Sequence, residues 1–390
     1  MRILFTFAGG SGHFEPLQPV ARAALAAGHA VVVAGQPVMV PAIEAAGFTA
    51  LATAGATLSD TPERMPLLAL DLDREDRDLR DGFARRLARD RADAILAVCR
   101  TWSPDLLVCD EIDFGAMIAA ERLGLPYAVV LVIAAGSFVR PEVVGEPLAE
   151  LRAAHGLPAD PDLAMLSRYL VLSPCPPSYR DPAFPLPATA HSIRPLTPAP
   201  PAHPAPPWAT AIPGAPTVYF TLGTVFNVES GDLFERVFAG LQGLPINVLA
   251  TVGRELDPAM FGPQPDNIHI TRYVAQATVL PHCAATITHG GSGSVVGALA
   301  HGLPMVLFPM GADQPRNAAR CAALGVAEVL DAVAATPDDV RRAVTAVLEE
   351  PRYRQVASQL QRESAGLPPP AHAVALLERL AAERRPLAAL

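Results

Sequence analysis

The stretch that most constrains the fold is residues 288–314, THGGSGSVVGALAHGLPMVLFPMGADQ, together with the short apolar run just before it. Residues 284–288 read as a buried parallel strand, residues 295–300 as an apolar helix and residues 305–308 as a second strand. Between the first strand and the helix lies His289-Gly290-Gly291-Ser292-Gly293-Ser294. A glycine-rich turn there leaves unpaired N–H groups at a helix N-terminus, which is an anion site suited to phosphate. From residue 273 to residue 312 there is no Lys, Arg, Asp or Glu. A diphosphate held here would therefore rest on helix dipole, amides, serine hydroxyls and His289, with no local basic clamp. The loop after the second strand carries Asp313 and Gln314, side chains suited to sugar hydroxyls.

The rest of the chain repeats this βα pattern. Residues 3–7 form a strand followed by AGGSGHFEP, then a helix at 17–27 ending before Gly28, then a strand at 31–34. The first turn lies at the carboxyl end of a strand, where open α/β sheets place ligands. It is not a dinucleotide fingerprint, because Glu15 stands where a third glycine belongs. His13 sits in this turn, either as a loop histidine bonded to a neighbour or as a base. Residues 106–109 form another strand, closing on Asp110-Glu111-Ile112-Asp113. Asp113 is placed to cap a helix at 114–123 and Asp110 to orient His13. Residues 71–91 alternate charges densely and read as a solvated helix or loop; Asp71 and Asp73 form a DxD pair in that run.

Nine prolines and no charge in residues 195–216 favour extended polyproline and mark a linker. After it come strands at 218–221, 246–251, 268–270 and 326–330, with helices at 233–241 and 314–323. The expected organisation is an N-terminal domain, 1–194; the linker, 195–216; a C-terminal domain, 217–365; and a terminal helix in 366–390 that packs back on the first domain. The fold class is α/β, with two doubly wound, Rossmann-like domains facing across a cleft.

Composition narrows the chemistry. All 30 basic residues are arginine, so a P-loop lysine, a Schiff base and pyridoxal phosphate are excluded. The net charge of −9 disfavours nucleic acid and anionic membranes. The five cysteines form no CxxC pair and read as reduced residues of a cytoplasmic protein. The N-terminus reads as a strand rather than a signal peptide, and Pro126 and Gly136 break the one uncharged run that could be taken for a membrane span.

Three motifs together resemble the GT-B glycosyltransferases that use nucleotide-activated sugars on small lipophilic acceptors, the branch of antibiotic, macrolide and plant secondary-product enzymes. They are Gly12-His13 with Pro16; Tyr273-Val274-Ala275-Gln276; and His289-x-Gly291…Ser294 with Gly302-Leu303-Pro304, Pro309 and Asp313-Gln314. The resemblance implies that His13 is the general base and Asp110 its partner. It implies that Val274 and Gln276 meet the base and sugar region of the nucleotide. Thr224, His289, Gly291, Ser292, Gly293 and Ser294 would surround the diphosphate, and Asp313 and Gln314 would bind the hexose. It departs from the family at Ala275 for proline, at Gly293 for the asparagine of plant members, and at Gly297 for a ribose-binding glutamate. The last departure points to dTDP rather than UDP.

The function expected is inverting transfer of a hexose or deoxyhexose to an acceptor hydroxyl, with no metal, no cofactor beyond the nucleotide-sugar co-substrate, and a monomeric or homodimeric enzyme. Alternatives on the same architecture are a nucleotide-sugar epimerase, a lipid-linked cell-wall transferase, or a degenerate nucleotide-binding helper. Residues 54–87 and 133–150 are expected to line the acceptor pocket.

Overall fold

The computed structural model describes residues 1–53, 64–195 and 207–389, and these fall into two compact units. The first unit holds a sheet of β1 (Arg2–Thr6), β2 (Ala30–Gly35), β3 (Thr49–Ala52), β4 (Leu106–Asp110), β5 (Tyr127–Val130), β6 (Leu170–Ser173) and β7 (Ala190–Ser192). Its strand order is β3-β2-β1-β4-β5-β6-β7, and every pairing is parallel. The second unit holds β8 (Thr217–Thr221), β9 (Asn247–Thr251), β10 (Ile268–Thr271), β11 (Ala285–Thr288), β12 (Met305–Leu307) and β13 (Ala327–Val329), ordered β10-β9-β8-β11-β12-β13 and again all parallel.

Central strands such as Leu106–Asp110 and Asn247–Thr251 are buried at every residue, as a parallel sheet with helices on both faces requires. That is why these runs read as continuously apolar rather than alternating. β3 and β7 were not legible in the sequence: they are edge strands of 4 and 3 residues, one rich in alanine and the other carrying His191 and Ser192. In each sheet the order reverses once, between β1 and β4 and between β8 and β11. At such a reversal the connecting loops leave in opposite directions, which is where open α/β sheets place their ligands.

The division of the chain is not purely sequential. The first unit takes in residues 367–390 as well as 1–58 and 72–195, while the second takes in 59–71 with 196–366. The helix Pro370–Glu383 packs on the helix Gln18–Ala26, burying Ala373, Leu377 and Leu380. Residues 64–71 lie within the segment expected to line an acceptor pocket, but they pack with the second unit. The Met65 amide donates to the Val228 carbonyl (2.6 Å), the Gly231 amide donates to the Met65 carbonyl (3.1 Å), and Arg64 pairs with Glu235. Residues 54–63 of that segment and 196–206 of the proline-rich stretch lie outside the described residues. Of the remaining linker, Pro207–Ala209 is a 3-10 turn, and the Asn247 side chain ties Ala209 and Ile212 to the second unit. Among the described residues no helix is long and apolar enough to cross a membrane.

Candidate active site

His13 does not lie in a loop. The chain leaving β1 enters a helix at Ser11–Phe14, so His13 stands in a first helical turn, continued by Glu15–Leu17 and Gln18–Ala26. Gly9 makes this possible: its φ is +133°, and a Cβ there would lie 2.5 Å from His13 Cδ2. His13 Nδ1 lies 3.4 Å from Asp110 Oδ2, with the histidine 24% exposed and the aspartate fully buried. Asp110 ends β4 and joins the two diverging loops. Its Oδ2 accepts from the Ala8 amide (2.8 Å), and its Oδ1 accepts from the amides of Ile112 (2.7 Å) and Asp113 (2.9 Å). The two residues implied as base and partner are thus brought together at the β1/β4 reversal.

Asp113 caps the helix Phe114–Leu123, accepting from the Ala116 amide at 3.3 Å. It also pairs with Arg91 through Nε at 2.7 Å and Nη2 at 2.5 Å, both residues being fully buried. The expectation of a solvated charge run therefore fails at its end. Arg91 also donates to Thr53 Oγ1 (2.9 Å) and to the Thr6 hydroxyl, while Thr6 donates to Asp113 (2.7 Å), so that one guanidinium ties down the ends of β1 and β3 and the cap after β4. Nothing in the charge pattern distinguishes Arg91 from its exposed neighbours. It is buried because Gly115 lets two helices close to van der Waals contact, a Cβ there falling 2.4 Å from the Ala88 carbonyl oxygen.

At the β8/β11 reversal, His289 is buried between two glycines. A Cβ on Gly223 (φ +78°) would lie 2.6 Å from its Cε1, and one on Gly291 2.6 Å from its Nε2. Its Nδ1 lies 3.1 Å from Thr288 Oγ1, and the Phe226 ring centroid is 5.9 Å away. Burial pushes the imidazole down to about 4, so it is neutral near pH 7. In the tautomer that accepts the Thr288 hydroxyl at Nδ1, Nε2 carries the hydrogen and is the donor left for an anion.

The helix that follows is Ser292–Ala300, three residues longer at its start than the sequence reading. Its first intrahelical bond runs from the Val295 amide to the Gly291 carbonyl (3.0 Å), which leaves the amides of Gly293 and Ser294 as free helix donors. Ser294 Oγ accepts from Gln276 Nε2 (3.2 Å), so its own proton remains available. Ser292 is different: its hydroxyl donates to Asp313 Oδ2 (2.5 Å) and its amide approaches the same oxygen (3.3 Å). Asn317, fully buried and not singled out by sequence, donates to Asp313 Oδ2 (2.7 Å), Ser292 Oγ (3.0 Å) and the Gly290 carbonyl (3.0 Å). Its place four residues after Asp313 on one helix face was the available signal. Asp313 occupies the N-cap position of Gln314–Leu324, yet its carboxylate binds these neighbours and caps no amide of that helix. Burial raises its pKa. Gln314 is 1% exposed, with its oxygen accepting from the Met310 (2.8 Å) and Gly311 (3.3 Å) amides, so it shapes this loop.

Thr224 is exposed in the loop after β8 and Val274 half-buried in the loop after β10. Gln276 opens the short helix Gln276–Val279. Gly297 faces it: a Cβ there would lie 3.3 Å from Gln276 Oε1 and 3.2 Å from Leu280 Cδ1. Among the described residues no group of three or more His, Cys, Asp or Glu side chains could hold a metal ion.

Two parallel Rossmann-like units, each with polar groups at its strand-order reversal, are the architecture of GT-B glycosyltransferases. Residues 236–380 match the C-terminal domain of erythromycin biosynthesis protein CIII-like enzymes. The aklavinone 7-beta-L-rhodosaminyltransferase of Streptomyces galilaeus is 30% identical, across 99% of this chain and 97% of its own. The TDP-daunosamine transferase of Streptomyces peucetius is also 30% identical, across 99% and 98%. The solved spinosyn forosaminyltransferase superposes with a TM-score of 0.76 at 27% identity, covering 98% of this chain and 100% of its own. The chain belongs to this family of antibiotic glycosyltransferases and is itself a glycosyltransferase.

Proposed function

We propose that the protein moves a hexose or deoxyhexose from a dTDP-sugar to a hydroxyl of a small lipophilic natural product, inverting the anomeric centre. The observation that carries this reading is the complementary chemistry at the two strand-order reversals: a histidine–aspartate pair at one, and at the other a helix N-terminus with free amides in a run, 273–312, that contains no Lys or Arg. Since Nδ1 of His13 faces Asp110, Nε2 is the atom that takes the acceptor proton. The acceptor oxygen bonds to the anomeric carbon as the bond from that carbon to the β-phosphate oxygen breaks. The bonding pair leaves with the diphosphate, where the Gly293 and Ser294 amides, the Ser294 hydroxyl and neutral His289 meet the developing charge. One displacement inverts the centre.

Gly297 offers no acceptor for a 2′-hydroxyl, and the space beside it is occupied by Gln276, which supports dTDP over UDP. The name of the TDP-daunosamine transferase agrees with that choice. The reaction on this reading needs no metal, and turnover is expected to persist in chelator.

His13→Ala is expected to lower turnover roughly 10²–10⁴-fold while leaving the calorimetric affinity for dTDP nearly unchanged. Equal loss of both would remove His13 from the role of base. In the same instrument dTDP should bind more tightly than UDP; clearly tighter UDP would reject the donor assignment.

A further inference from the structure

We propose that Asp313 makes the donor site discriminate against its own product, weakening the hold on the nucleoside diphosphate once the sugar has left. The inference rests on the cradle described above and adds to it. The carboxylate reaches the first residue of the cradle helix, with Oδ2 2.5 Å from Ser292 Oγ, and the free amides of Gly293 and Ser294 follow directly. Asn317 and Ser292 fix that oxygen in place with three hydrogen bonds, and among the described residues no cationic side chain acts on Asp313 as an ion-pair partner. A fixed negative charge therefore stands beside an anion site whose own residues, 273–312, contain no cationic side chain.

The charge of the ligand changes during the reaction. In the sugar nucleotide the β-phosphate is an ester, and the hexose hydroxyls are donors that a nearby carboxylate can accept from. Transfer breaks the bond between the anomeric carbon and the phosphate oxygen, and the electron pair stays on that oxygen. The product carries one more negative charge and has lost the hydroxyl donors. Asp313 thus faces a donor-bearing ligand before transfer and an unshielded, more negative one after it. Amides in direct contact with phosphate outweigh a carboxylate one residue further away, so the cradle still binds its ligand. Asp313 weakens that binding for the product more than for the substrate.

The test is calorimetric titration of the full chain with dTDP and with dTDP-glucose, comparing wild type and Asp313→Asn at low salt. An amide of the same shape keeps an acceptor for Ser292 and Asn317 and removes the charge. The variant is expected to bind dTDP on the order of 3–10-fold more tightly than wild type, without any matching gain for dTDP-glucose. Affinity for dTDP that is unchanged or weaker in the variant overturns the proposal. Asp313→Ser, which deletes the same charge with a smaller side chain, gives the same reading should the amide variant fail to fold. Wild-type protein that binds neither nucleotide would instead overturn the cradle itself.

Discussion

His289 is held between glycines, with its ring neutral and about 8% exposed. Its folded pKa is lowered to about 4 from the usual 6.5. As pH falls through that window the unfolded chain takes a proton that the folded chain refuses, so this residue contributes stability above 6.5 that is lost toward 4. Glu111 acts in the opposite direction. Its buried carboxyl is raised to about 7 by desolvation, although it accepts from the Val132 and Ile133 amides, so its contribution is present below 4.5 and lost as pH rises to 7. The two can be separated by comparison with a variant. His289→Asn is expected to lose less stability than wild type between pH 6.5 and 4.5 in urea unfolding, with the Glu111 contribution common to both. Residue type and position are legible in one dimension, whereas burial is not. His13, Asp110 and His289 stand out by type and position, and Asp113 as a helix cap, whereas nothing in the charge run marks Arg91 as the residue buried against that cap.

Among elements, the turns rather than the helices carry the constraint. Gly223 has φ +78° and sits against the His289 ring; a side chain there would be strained and would also displace the imidazole. Gly223→Ala is expected to cost roughly 1–3 kcal/mol of stability. It should weaken dTDP binding more than Thr224→Ala does, because Gly223 packs on the His289 ring while Thr224 is an exposed residue of the same loop. Denaturant midpoints and calorimetric affinities measure the two effects. The helices and central strands were legible because their period and their continuous apolar runs survive in one dimension: Phe114–Leu123 and Leu233–Leu241 lie where the sequence places them. The helix holding His13 was not, since Gly10-Ser11-Gly12 is a turn signal that the following Phe14, Leu17 and Val20, all buried, override by packing.

At the scale of the whole molecule, the chain order and the order of packing differ. The last helix, Pro370–Glu383, completes the unit that the first residues begin, and His29 lies 3.1 Å from Glu378 in that contact. A chain ending at residue 366 leaves the apolar face of Gln18–Ala26 uncovered. It is expected to show a lowered melting transition for the first unit in differential scanning calorimetry, with that of the second unit little changed. Two melting transitions that both stay in place would show that the helix contributes nothing to the first unit's stability. Residues 64–71, by contrast, leave the first unit to pair with Val228 and Gly231, a contact between positions over 160 apart in the chain.

The two βα series and the turns between them are written in the chain locally, because hydrophobic period and backbone sterics act over a few residues. The meeting of residues 292, 313 and 317 comes from strand order and helix packing, as does the 3.4 Å approach of His13 to Asp110 that was expected from their places at strand ends. Only the tertiary structure decided which charges are buried and which donors remain free. Those outcomes depend on strand order and on close helix contacts, and neither is a property of any single stretch of chain.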